Sequence, residues 1–193
     1  SMKILFEGRR TAHRHSTHHS SLVVCYHTSS MMKAFFGRVL VALLFIASFH
    51  QKYENFGTDG GDTVKLMGPK VALVKLQIES FVAEKTGADV KFPSIEDKHL
   101  LMVAMFLEGA GALLYVFGSS TGASMLMLFL LGVTPVMHDF WNSSSPDEMQ
   151  LQQINFFKNL AIFGALLSFV AMNTSAAAGK KELKKLKQLK KTN

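Results

Sequence analysis

The sequence predicts an all-α integral membrane protein, a four-transmembrane-helix bundle with an amphipathic helix in the long loop after the first span. Three observations carry this. Apolar residues make up 48% of the 193 and gather into spans at about 34–49, 100–117, 121–137 and 154–172, with polar segments between them. Inside these blocks the runs "LVALLFIASF", "LLMVAMF" and "MLMLFLLGV" lack the polar stripe that a helix of a soluble bundle keeps, so every face has to meet something apolar. Charge supplies the third: residues 1–38 carry +5 and residues 180–193 carry +6, while everything between them sums to −4. An even number of spans puts both ends on one side, and the positive-inside rule makes that side the cytoplasm.

Residues 1–30, "SMKILFEGRRTAHRHSTHHSSLVVCYHTSS", form a basic, His-rich N-terminal extension expected to be flexible. Rich in Arg, His and Ser and poor in acids, the stretch has the composition of an organellar transit peptide, yet "MMKAFF" at Met31 and Met32 equally suggests an alternative start. His13, His15, His18 and His19 have no rigid frame and read as a solvated tract rather than a metal site. Cys25 is the one cysteine, which excludes an intrachain disulfide, a CxxC pair and a Cys-rich zinc site.

The membrane domain covers 31–175. Its first span is short for the ~17–25 residues that cross a hydrocarbon core, and Arg38 stands near its cytosolic end. The 52–98 loop then opens with "NFGTDGGD", whose glycines suit turns with positive φ; without Lys-Ser/Thr or a preceding strand it is no phosphate cradle. Val71, Val74, Ile78, Phe81 and Val82 recur at helical spacing, entered at Pro69 and stopped at Thr86-Gly87. This amphipathic helix is expected to lie against the bundle or in the interface rather than cross.

The second span contains a carboxylate, Glu108. Facing lipid near the bilayer middle it would cost ~2.5–3.5 kcal/mol even on the mildest scale, so the face through Ala104, Glu108, Gly111 and Tyr115 should turn inward. Arg38 is the expected partner in an intramembrane polar pair. After the third and fourth spans comes the basic cytosolic tail, 176–193, in which Leu183, Leu186 and Leu189 share one helical side among lysines. Such a tail meets anionic lipid at ~1 kcal/mol per lysine. Lys190 and Lys191 stand fourth and third from the end, the dilysine placement of an endoplasmic-reticulum retrieval signal.

The topology gathers His50, Gln51, Tyr53, Glu96, Asp97, His99, His138, Asp139 and Trp141 at the non-cytoplasmic rim. Histidines and carboxylates there would suit a metal or a proton relay, but interfacial anchoring by Trp, Tyr and His explains the same residues, and no metal site is predicted.

Four strings, "FFGRVLVALLFIASFHQKYENFGTDGG", "IEDKHLLMVAMFLEGAGALLYVFGSS", "TPVMHDFWN" and "FFKNLAIFGALLSFVAMN", resemble in order and spacing the plant HR-like lesion-inducing protein family, over about 31–173. That family is related to the DoxX-like membrane proteins, and Glu108-Gly-Ala-Gly-Ala-Leu-Leu is similar to the acidic-then-small pattern of their second helix. The resemblance implies a four-helix membrane bundle linked to hypersensitive-type cell death. It implies no catalytic mechanism.

Three functions stand as expectations. The first is a non-enzymatic endoplasmic-reticulum protein that binds a partner, lipid or cargo. The second is an accessory subunit of an organellar redox complex, for which the mitochondrial inner membrane would be the location. The third is a small transporter or channel. No cofactor and no nucleic acid is expected; the partners are the bilayer, anionic lipid at the tail, and proteins or subunits of a membrane complex.

Overall fold

The computed structural model describes residues 31–93 and 95–192. The N-terminal extension, with its five histidines and Cys25, lies outside the described residues. The chain divides into two compact units, Ser1–Leu40 and Val41–Asn193. In the first, the described residues are helical and expose Met31, Met32, Phe35, Phe36 and Leu40. The second holds the packed core of the molecule.

Among the described residues there is no strand. Helix α1 runs Met31–Glu54, α2 Gly61–Thr86, α3 Asp97–Val116, α4 Ser120–Met137 and α5 Pro146–Thr192, with a 3-10 turn at Phe140–Asn142 before α5. Of these α1, α3, α4 and α5 are long and apolar enough to cross a membrane. Their outward faces make the same point: Leu43, Phe106, Leu113, Leu128, Leu131, Phe157 and Leu167 are all more than half exposed, which only a hydrocarbon surround makes favourable. The molecule is an all-α membrane bundle.

Both ends of α2 and the starts of α4 and α5 have a local cause. Gly60 and Gly61 adopt positive φ, 85° and 63°, to turn the chain into α2, and a Cβ on Gly61 would fall 1.7 Å from the Asn55 carbonyl. Gly87, at φ 69°, closes α2 where the sequence predicts its stop. Ser119 caps α4 by accepting from the Gly122 amide. At α5, Ser145 accepts from the Glu148 amide while Glu148 accepts from the Ser144 amide, a reciprocal cap with Pro146 in the first turn.

The core follows the period. On α3 the buried residues Leu101, Met105, Glu108, Ala112 and Tyr115 alternate steps of four and three, giving one inward seam. Ala42 and Phe45 of α1, Ala123, Leu126, Phe129 and Leu130 of α4, and Leu166 of α5 complete it. Helices α3 and α4 approach closely: a Cβ on Gly122 would come 2.5 Å from the Tyr115 nitrogen and 2.8 Å from the Gly111 oxygen. Small residues therefore let these two backbones touch. Two asparagines fasten α5 to α4: Asn159 donates to Thr134 Oγ1 at 3.2 Å, and Asn173 to the Gly118 carbonyl at 3.3 Å and Ser120 Oγ at 3.1 Å.

Helix α5 has 47 residues, so it continues far beyond the fourth span and takes in the tail expected to be a separate segment. Lys190 and Lys191 lie in that helix, both exposed.

Candidate functional site

Glu108 is 1% exposed, as its place on the inward seam of α3 requires, and the partner found for it is Lys52, a residue the sequence does not suggest. Lys52 Nζ donates to Glu108 Oε1 at 3.1 Å and Oε2 at 2.8 Å, and to Ser48 Oγ at 2.6 Å. Three acceptors thus take the three donors of the ammonium, and the Phe129 ring lies 5.3 Å from it. Arg38 stands fourteen residues earlier in the chain and has interactions of its own. Lys52 reaches Glu108 because of the length of α1. A span ending at residue 49 makes Lys52 a loop residue, whereas the helix runs to Glu54 and phases Ser48 and Lys52 one turn apart on one face.

The pair marks a change in construction. Glu108 lies ~16 Å from the start of α3 and ~12 Å from its end, yet Lys52 is almost the last residue of α1. Beyond that level the flank of α3 is covered by the 55–60 turn and α2 instead: Met67 packs with Leu101 and Met105, joined by Phe49, Phe56 and Val64. Irregular backbone beside a span needs its polar groups satisfied. Here the Asn55 side chain donates to the Gln51 carbonyl and Lys98 to the Thr58 carbonyl.

The rim residues divide into separate partnerships rather than one cluster. His50 faces Glu54 at 3.5 Å, and His99 faces Glu96 at 3.6 Å. His138 shares a hydrogen bond with Gln152 at 2.9 Å, and Asp139 accepts from Lys70 at 2.6 Å. Gln51 offers its carbonyl to the Asn55 amide, and Tyr53 stacks on Phe49. Asp97 lies beside Gly68, where a Cβ would come 2.7 Å from Asp97 Oδ2. Trp141 packs edge-on against Phe140 and Phe156. Among the described residues no group of three His, Cys, Asp or Glu is arranged to hold a metal ion.

Lys70, which also donates to the Met137 carbonyl at 3.3 Å, draws α2 across the ends of α3 and α4. Under it lies a groove of about 390 Å³. Leu100, Val103 and Leu107 of α3 form one wall, Leu128, Gly132 and Val136 of α4 the other; Val71 and Ile78 of α2 with Phe92 and Pro93 make the roof. Among the described residues Lys75 is the only charged one that lines it. No sequence signal announces this groove, although Val71 and Ile78 belong to the apolar face expected of the loop helix that roofs it.

Four apolar spans, a fully hydrogen-bonded ion pair inside them and a loop helix latched over one end define a multi-pass membrane bundle. The comparison with protein families specifies it further. The model of the family described as HR-like lesion-inducing matches residues 31–172, and the chain belongs to that family. No curated protein and no solved structure matches it.

Proposed function

We propose that the protein is a non-enzymatic component of the endoplasmic-reticulum membrane that binds a partner, lipid or cargo and thereby bears on hypersensitive-type cell death. Membership of the lesion-inducing family supports the link with cell death. The observation that carries the binding part is the roofed groove between α2, α3 and α4, since a concave, mainly apolar site between helices is where a bundle takes a ligand. Both termini are cytosolic in this reading, which makes Lys190 and Lys191 accessible to a retrieval receptor. Kinship with DoxX-like proteins fits the sequence of an acidic residue followed by small ones, Glu108 to Ala112, on the buried seam of α3.

The test is the location of the full-length chain, tagged internally and with its own C-terminus free, in leaf cells. It is expected to coincide with an endoplasmic-reticulum marker, and Lys190→Ser with Lys191→Ser to move it to later secretory compartments. A mitochondrial wild type, or a double variant that stays in place, would overturn the retrieval reading. Glycosylation acceptors inserted near residue 90 and in the tail check the topology: the first should be modified and the second not.

The buried Lys52–Glu108 pair favours one other reading, a small transporter. Proteoliposomes that accumulate a proton or ion in a manner lost in Glu108→Gln would select it over a binding protein.

A further inference from the structure

The groove under α2 has one chemical asymmetry. Its lining is apolar from Leu107 and Leu128 at the deep end to Met137 at the other, except for Lys75 on the roof helix. Every other lysine between residues 41 and 98 has an oxygen partner: Lys52 on Glu108, Lys65 on Asp62, Lys70 on Asp139, Lys85 on Glu84, Lys91 on Asp89 and Lys98 on the Thr58 carbonyl. Lys75 is half-buried and, among the described residues, has none. A half-buried ammonium at the edge of an apolar groove is an electrostatic match for an anionic head group joined to an apolar chain.

Volume and floor suit part of a single chain: extended, a long-chain fatty acid outreaches the α4 wall, so its far end runs on into the bilayer. From Leu128 to Met137 the α4 wall rises ~13 Å. Midway along it Gly132 has no atom within 4 Å of where its Cβ would stand, so the missing side chain is what keeps the channel open. The volume of about 390 Å³ lies at the small end of ligand sites, too little for a two-chain lipid to enter whole.

We propose that this groove binds a single-chain anionic amphiphile, a long-chain fatty acid, with its carboxylate on Lys75 and its chain laid between α3 and α4 past Gly132. This deepens the binding reading above and rests on it. Failure with a fatty acid would leave location and topology untouched, since those are read by other experiments.

The test is photolabelling of the full-length protein in phosphatidylcholine vesicles by a diazirine analogue of palmitate, followed by mapping of the labelled peptides. Saturable labelling is expected on 100–107 and 128–137, displaced about tenfold more readily by palmitate than by hexadecanol. Lys75→Gln should weaken displacement by palmitate about tenfold, the loss of one charge-assisted hydrogen bond. Gly132→Leu fills open space and should abolish the saturable label in a protein that still melts cooperatively. Gly164→Leu, at an equally open glycine on α5 that does not line the groove, should leave it unchanged. Labelling spread evenly over the lipid-facing helices would mean bulk lipid only and overturn the proposal. Equal displacement by hexadecanol would remove the role of Lys75, and preferential displacement by phosphatidylserine would make the ligand a two-chain lipid; either result also overturns it.

Discussion

Gly122 and Gly132 stand ten residues apart on α4 and do opposite things. At Gly122 a methyl group would strike the Tyr115 backbone nitrogen and the Leu114 Cβ; at Gly132 it would meet nothing. One end of the α3–α4 pair is thus closed to backbone contact, while the other is held apart and bridged by α2. The Lys52–Glu108 pair lies at the junction, with Glu108 one turn from Gly111 on one side and Ala104 on the other. The difference teaches that a glycine in a membrane helix is not one signal. It can mark the tightest contact in a bundle or the most open, and only the facing helix decides which.

The largest effect should come from the junction. Removing one charge leaves the other buried and unpaired, so Lys52→Met and Glu108→Gln are each expected to cost ~3–5 kcal/mol, whereas Lys52→Met with Glu108→Leu should cost less than either. Thermal unfolding in detergent of the three variants checks this. Strictly additive losses would mean that the pair does not couple the two halves, and Arg38→Met should show no coupling to Glu108→Gln.

How much of this is legible in the sequence depends on range. The period of α3 places Glu108, Gly111 and Tyr115 on the inner face, and the glycines of "NFGTDGGD" read as turns, because both are local properties of the chain. The partner of Glu108 is not legible, since it depends on α1 extending five residues beyond its apolar block and ending at the level of the carboxylate. The rim residues share an end of the bundle but not a site, because proximity along four helices says nothing about which side chains face one another. The groove is the least legible feature: it is made by what α2 leaves uncovered, and Lys75 looks like any loop lysine until its neighbours are known.

The second effect tests the closed end. Gly122→Ala puts a methyl group against backbone, which cannot yield as a side-chain tip can, and should cost ~2–3 kcal/mol as an overpacked contact. The same exchange at Gly132 should reverse sign. With open space around it, alanine relieves the conformational cost of a helical glycine and should raise stability by ~1 kcal/mol. Melting temperatures of the two alanine variants, measured side by side, decide the comparison. If both fall, the gap around Gly132 is not a real opening, and the groove goes with it.

The smallest effect concerns how α5 is fastened to the two ends. Asn159 bonds Thr134 at the open end and Asn173 bonds Gly118 and Ser120 at the closed one, each bond of a kind that averages ~0.6 kcal/mol in a membrane bundle. Their replacement by leucine should not be equal. Thr134 is 7% exposed, but its hydroxyl can turn to a carbonyl in the preceding turn of α4 when Asn159 is gone, so Asn159→Leu should cost little. Asn173 instead ties a side chain to the chain reversal at 117–119, where the Gly118 carbonyl belongs to neither helix. Asn173→Leu should therefore lose up to ~1.2 kcal/mol, about 0.6 for each of its two bonds, and, more tellingly, speed hydrogen exchange of the amides around Ser119 and Ser120. Equal exchange rates in the two variants would show that α5 grips both ends alike, and that the asymmetry of the bundle is confined to α3, α4 and the helix that roofs them.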